Sequence, residues 1–207
     1  LMWAFRHSGD SSFYKIAVTH SDTTIKNHYR PDYSSWHVVS YDTLSGRVEV
    51  KQTHQGYADE SAWARGQVWG LYGFTTMYRD TKLERYLSQA RNIAEFLINH
   101  PNMPDDAIPY WDFNAPDIPD ALRDASAGSI MASALIELSS YVDQETAGRY
   151  LQVAEKQLRT LASPEYLAKP GENGNFILKH GVGHLPGKSE VDVPLTYGDY
   201  YFMQALL

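Results

Sequence analysis

Between His54 and Trp69, sixteen residues hold His54, Gln55, Trp63, Arg65, Gln67 and Trp69. These side chains suit gripping a charged ring better than filling a core. A guanidinium fork pairs with a carboxylate through parallel hydrogen bonds, an indole covers the apolar face of a sugar, and amide and imidazole groups supply further donors and acceptors. Arg65 and Trp69 are four apart, so a helix puts them on one face. A plainer reading pairs Arg65 with Asp59 or Glu60 and leaves the tryptophans to the core. The density of the cluster favours the binding reading.

The element that must position these groups is a helix starting at Ser61, with Asp59, Glu60 and Ser61 as acidic and hydroxyl start signals. Gly66, Gly70 and Gly73 give this helix a second face almost without side chains. Three such glycines cost about 1 kcal/mol each relative to alanine. The expected compensation is close approach of another helix backbone.

Composition narrows the classes of function. The 207 residues suffice for one large domain or part of a bigger one, and 43% apolar residues supply a core. With 25 acidic against 18 basic residues and a net charge of −7, a nucleic-acid partner is not expected. Fifteen tyrosines and five tryptophans fit a sugar-binding surface. The absence of cysteine excludes disulfides and thiolate catalysis and leaves the compartment open. No apolar run reaches the roughly 18 residues of a membrane span. Helical patterns run to both termini, which predicts an internal piece of a longer protein.

The remaining pattern is repetitive. A half-helix over residues 1–8 ends at Gly9 and is followed by a helix from about Ser11 to His28. The same hairpin grammar recurs from Gly70 to Asp80 then Leu83 to His100, and from Ala134 to Asp143 then Ala147 to Ala162. Asp10, Asp80 and Asp143 mark the turns, each followed by a tyrosine: Tyr14, Tyr86 or Tyr150. Long connections separate the hairpins and hold most of the ionisable and aromatic residues. That arrangement predicts an all-α, closed α/α barrel with loops over one end.

Within the first connection, His37 to Asp42 and Arg47 to Val50 alternate around Leu44-Ser45-Gly46 and predict a β-hairpin. Proline excludes helix from the second connection, where Asp112 is expected as an ordinary loop acid and Asp124 as the N-cap of a small-residue helix. The third, Ser163 to Pro194, has the length of a lid or binding loop. Its His180 and His184 are four apart, but Gly181, Gly183 and Pro186 oppose a metal-binding helix face. No metal or cofactor is expected.

Taken together, these segments resemble the unsaturated glucuronyl hydrolases of glycoside hydrolase family 88. The resemblance rests on His54-Gln55-Gly56, Ser61 and Trp63-x-Arg65-Gly66-Gln67-x-Trp69-Gly70-x-Tyr72-Gly73. Tyr110-Trp111-Asp112-Phe113, Arg123-Asp124-x-Ser126-Ala127 and Gly198-Asp199-Tyr200-Tyr201 follow in the family order. It implies an (α/α)₆ barrel, of which this chain is a single domain supplying roughly the later two-thirds. It also implies release of a 4-deoxy-4,5-unsaturated glucuronate from the non-reducing end of oligosaccharides left by polysaccharide lyases. In that chemistry an Asp protonates the vinyl ether at C4, water adds at C5, and the hemiketal opens to expel the next sugar. This differs from hydrolysis by two flanking carboxylates.

By the same resemblance, Thr53, Gln55, Arg65 and Trp69 are expected to bind the substrate and His37 to assist. The acid/base Asp is expected upstream of Leu1, so no catalytic residue is assigned within this chain. The expected partner is the unsaturated oligosaccharide, with no nucleic acid and no membrane. Two further readings stand beside this one: a hydrolase of unsaturated galacturonyl-rhamnose with the same barrel, and a carbohydrate-binding barrel without turnover.

Overall fold

The computed structural model describes residues 1–207. Its elements are α1 (Met2–Ser8), α2 (Ser11–His28), β1 (Val38–Tyr41), β2 (Val48–Gln52), α3 (Ala64–Thr81), α4 (Glu84–Ile98), α5 (Ala125–Ser139), α6 (Gln144–Leu161) and α7 (Thr196–Leu206). Helices α3, α5 and α7 stand side by side as an inner layer, and α4 and α6 pack behind α3 and α5. This is an arc of an α/α barrel, with the small hairpin β1–β2 in the first long connection.

The inner layer is selected by small residues. On α5, twelve of the fifteen residues are buried, among them Ala127, Gly128, Ser129, Ala132 and Ala134. Their short side chains admit neighbours on several sides: a Cβ at Gly128 would sit 2.8 Å from Ile108, and one at Gly198 on α7 would sit 3.3 Å from Ser126. Ile130, Met131, Leu135 and Leu138 then meet Val68, Leu71 and Phe74 of α3 in the main core, joined by Ile93 and Leu97 of α4. Each such side chain contributes about 1.5–3 kcal/mol on burial.

Outer helices are fastened by a repeated device. Arg85-Tyr86 and Arg149-Tyr150 occupy matching places on α4 and α6, and each pair grips one acid on the preceding outer helix. The Tyr86 hydroxyl donates to Asp22 of α2 at 2.9 Å, and the Tyr150 hydroxyl donates to Glu95 of α4 at 3.1 Å. Arg85 and Arg149 pair with the same two acids. The turn acids are less uniform than the sequence suggests. Asp10 and Asp143 cap α2 and α6, whereas Asp80 lies in the last turn of α3 and pairs with Arg6 at 2.8 Å.

Helix α3 begins at Ala64 rather than Ser61, and none of the three start signals caps it. Tertiary partners outcompete the helix end for them. Asp59 accepts from the Thr53 amide at 2.9 Å, Ser61 donates to Asp112 at 2.7 Å, and Glu60 pairs with Arg30 at 3.4 Å. The first helical amide, Ala64 N–H, instead donates to Trp111 C=O at 3.1 Å, where the first and second connections cross at an antiparallel bridge between Trp63 and Asp112.

Candidate active site

The N-terminal end of α3 faces all three long connections, and a buried ionic hub binds them together. Arg65, whose side chain is only 3% exposed, pairs with Asp124 at 2.6 Å. Its guanidinium also donates to Val182 C=O at 2.5 Å and Gly183 C=O at 2.6 Å. Asp124 caps α5 through the Ser126 amide and accepts from the Ser126 hydroxyl at 2.6 Å. One charge pair thus fixes the start of α3, the start of α5 and the third connection. The fork expected to face a substrate carboxylate has Nη1 and Nη2 on these protein acceptors. Arg65 also avoids Asp59 and Glu60.

Beside the hub, a cleft of about 550 Å³ opens between α2 and α3. His37, Gln55, Trp63 and Trp69 line it, and Gly66, Gly70 and Gly73 form part of its wall. The bare glycine face is therefore a cleft wall and not a seam between helix backbones. At Gly70 a Cβ would lie 2.1 Å from the Tyr29 hydroxyl, and at Gly73 it would meet nothing within 4 Å. The lining carries the imidazoles of His20, His28 and His37 and no carboxylate.

His37 is the most constrained of these groups. Its Nδ1 lies 3.1 Å from both the His54 and Gln55 amide nitrogens, so it accepts two hydrogen bonds and the ring proton is placed on Nε2. Its ring stacks on Trp63 with centroids 4.2 Å apart, and the Arg65 guanidinium sits 4.7 Å from that same indole. Burial, with the neighbouring His54, Arg65 and His184, pushes the imidazole down to about 4. At neutral pH it is an uncharged ring with a fixed tautomer, able to donate from Nε2.

No protein-family model matches the chain. An unsaturated glucuronyl hydrolase of Formosa agariphila is 50% identical over all of this chain and 51% of its own length. One from Bacillus sp. strain GL1 is 33% identical over all of this chain and 55% of its own length. Among solved structures, an unsaturated glucuronyl hydrolase specific for heparin superposes with a TM-score of 0.97 at 53% identity, covering 100% of this chain and 55% of that one. The chain belongs to the unsaturated glucuronyl hydrolase family. It spans about half the length of the curated relatives it matches.

The fold is the α/α barrel architecture that the repeats predict. His37, Gln55 and Trp69 share the cleft wall, whereas Thr53 and Arg65 do not line it. Gln55 donates from its side chain to Gly183 C=O at 2.8 Å, and the Thr53 hydroxyl accepts from the Gly56 amide at 2.9 Å, closing the turn that presents Gln55. Trp69 meets Tyr201 edge-on, with centroids 5.2 Å apart.

Asp112 sits in the second connection, as expected of a loop acid, and fastens it to the first. It is fully buried and accepts from the Tyr57 amide, the Ser61 hydroxyl and the Asn114 amide. Sequence reasoning missed Tyr29 and Trp36 in the cleft, and the His54–His184 contact, with ring centroids 4.6 Å apart. No spacing rule joins these residues; they meet only because the connections cross.

Proposed function

We propose that the complete protein hydrolyses the glycosidic bond of a non-reducing-end 4,5-unsaturated glucuronate by hydrating its vinyl ether, and that the oligosaccharide derives from a glycosaminoglycan. The observation that carries this reading is the cleft formed by His37, Gln55 and Trp69, within a chain so similar to unsaturated glucuronyl hydrolases. The neutral His37 offers an Nε2–H donor, Gln55 offers its carboxamide, and the Trp69 indole suits the face of a sugar ring. Arg65 and Thr53 act by fixing these groups.

The reaction needs a proton at C4 and water at C5, with the two electrons of the C4=C5 bond forming the new C4–H bond. No carboxylate lines this cleft. Asp112 and Asp124 are fully buried and hydrogen-bonded. In this reading the acid/base Asp therefore lies outside these residues, which form one domain of a longer barrel. A related structure from Streptococcus agalactiae is described as complexed with dGlcA-GalNAc6S, and the first structure above as specific for heparin. We take unsaturated disaccharides of both kinds as the substrates to compare.

The test follows ultraviolet absorbance of the conjugated double bond with the complete protein. Loss of absorbance on either disaccharide supports the hydrolase, and binding without loss would favour a carbohydrate-binding barrel. In an active enzyme, His37→Ala should lower turnover by roughly 10²–10⁴-fold, as expected of a partner in proton transfer. Near-normal turnover in that variant would remove His37 from the mechanism.

A further inference from the structure

We propose that Gln67 is a positioning residue that acts through His37, a role resting on the reading of the cleft given above. Gln67 is 1% exposed, lies on α3 one residue from the wall-forming Gly66, and does not itself line the cleft. It therefore has no direct route to a ligand. Its carboxamide instead reads main chain of two residues that line the cleft, Ser35 and Trp63. Oε1 accepts from the Ser35 amide at 2.8 Å, and Nε2 donates to Ser35 C=O and to Trp63 C=O, both at 3.3 Å.

Those two anchors are the two supports of His37. Ser35 stands two residues before it, so fixing both polar groups of the Ser35 backbone sets the path on which the imidazole is carried. Trp63 supplies the indole against which the imidazole stacks. A single side chain thus locks the backbone leading to the ring and the residue beneath the ring into one frame. The remaining restraints fall in place around that frame. Arg30 donates to Ser35 C=O at 3.1 Å, Trp36 N–H donates to His28 C=O at 2.9 Å, and the His54 and Gln55 amides hold Nδ1.

Only a carboxamide of this length offers an acceptor and a donor side by side for an N–H and a C=O of the same residue. A carboxylate keeps the acceptor and faces two carbonyls with no proton to give. An aliphatic side chain keeps the volume and leaves the buried Ser35 amide without its partner, with a cost that falls on local geometry. Displacement of a reacting group by about 1 Å is enough to slow a reaction about 10²-fold.

The experiment is a double-mutant cycle in the complete enzyme, using kcat and KM on the unsaturated disaccharide, together with ¹⁵N signals of the His37 ring. Gln67→Leu should lower kcat by roughly 10–100-fold with KM nearly unchanged. The same substitution in a His37→Ala background should have almost no further effect. In the single variant the Nε2–H tautomer of His37 should lose its fixed ring signature. Should Gln67→Leu not fold, Gln67→Met keeps an unbranched side chain of similar volume without the paired donor and acceptor and carries the same expectations. A loss undiminished in the His37→Ala background would overturn the proposal, as would an unchanged ring signature. If the wild-type enzyme leaves the double bond intact, the assigned reaction fails, and the ring signals alone then decide the frame.

Discussion

Arg65 shows how burial changes what a charged residue does. Its guanidinium is paired with Asp124 and two carbonyls and is almost without solvent. Removing one partner of such a pair leaves an uncompensated buried carboxylate, a change that costs roughly 3–5 kcal/mol. Arg65→Ala should therefore lower the melting temperature of the complete protein markedly, with loss of activity following loss of the folded state. An unchanged melting temperature with a raised KM would restore the role of direct substrate clamp. His37 makes a prediction about pH. Its folded value is about 4 against an ordinary 6.5, so between these the unfolded chain binds more protons than the folded one. Stability should rise with pH through that window and be lost as pH falls through it. His28 and His100 are lowered by burial too and add to the slope. Urea midpoints of His37→Gln should show a shallower dependence; an identical slope would mean that the imidazole titrates freely.

On helix α3, three glycines that look alike in sequence have different surroundings. Gly73 opens to the cleft with nothing within 4 Å, so Gly73→Ala should stabilise the protein by up to about 1 kcal/mol through helix propensity. Gly70 faces the Tyr29 hydroxyl at 2.1 Å from a would-be Cβ. That tyrosine is held edge-on against Phe74, with centroids 5.7 Å apart, and it cannot retreat cheaply. Gly70→Ala should destabilise despite the same gain in propensity. Chemical denaturation of the two variants checks the opposite signs, and equal shifts would mean that Tyr29 moves aside.

At the scale of the molecule, the proposed reaction takes its cleft and its acid from different stretches of chain. Residues 1–207 expressed alone should show no hydrolase turnover on an unsaturated chondroitin disaccharide, because the cleft wall offers donors and aromatic faces but no carboxylate. The piece also exposes Leu151, Met203, Leu206 and Leu207, apolar surface that favours association. Absorbance and light scattering of this exact piece measure both. Turnover comparable to the complete enzyme would send the search for the acid back to Asp59, Asp112 and Asp124.

What the amino-acid sequence settled by itself is local. Apolar periodicity located the helices, Asp124 declared the cap of α5, Asp10 and Asp143 marked the turns that they cap, and alternation located the β-hairpin. The density of His, Gln, Arg and Trp after residue 53 marked the neighbourhood of the cleft. Tertiary structure decided which partner each polar group took. Asp124 lies 59 positions from Arg65, Ser35 lies 32 from Gln67, and Gly183 lies 128 from Gln55. Asp59, Glu60 and Ser61 gave up a helix end for partners brought in by the crossing connections. Spacing constrains residues within a turn or two of each other, whereas a buried charge is satisfied by whichever opposite group the packed connections deliver to it.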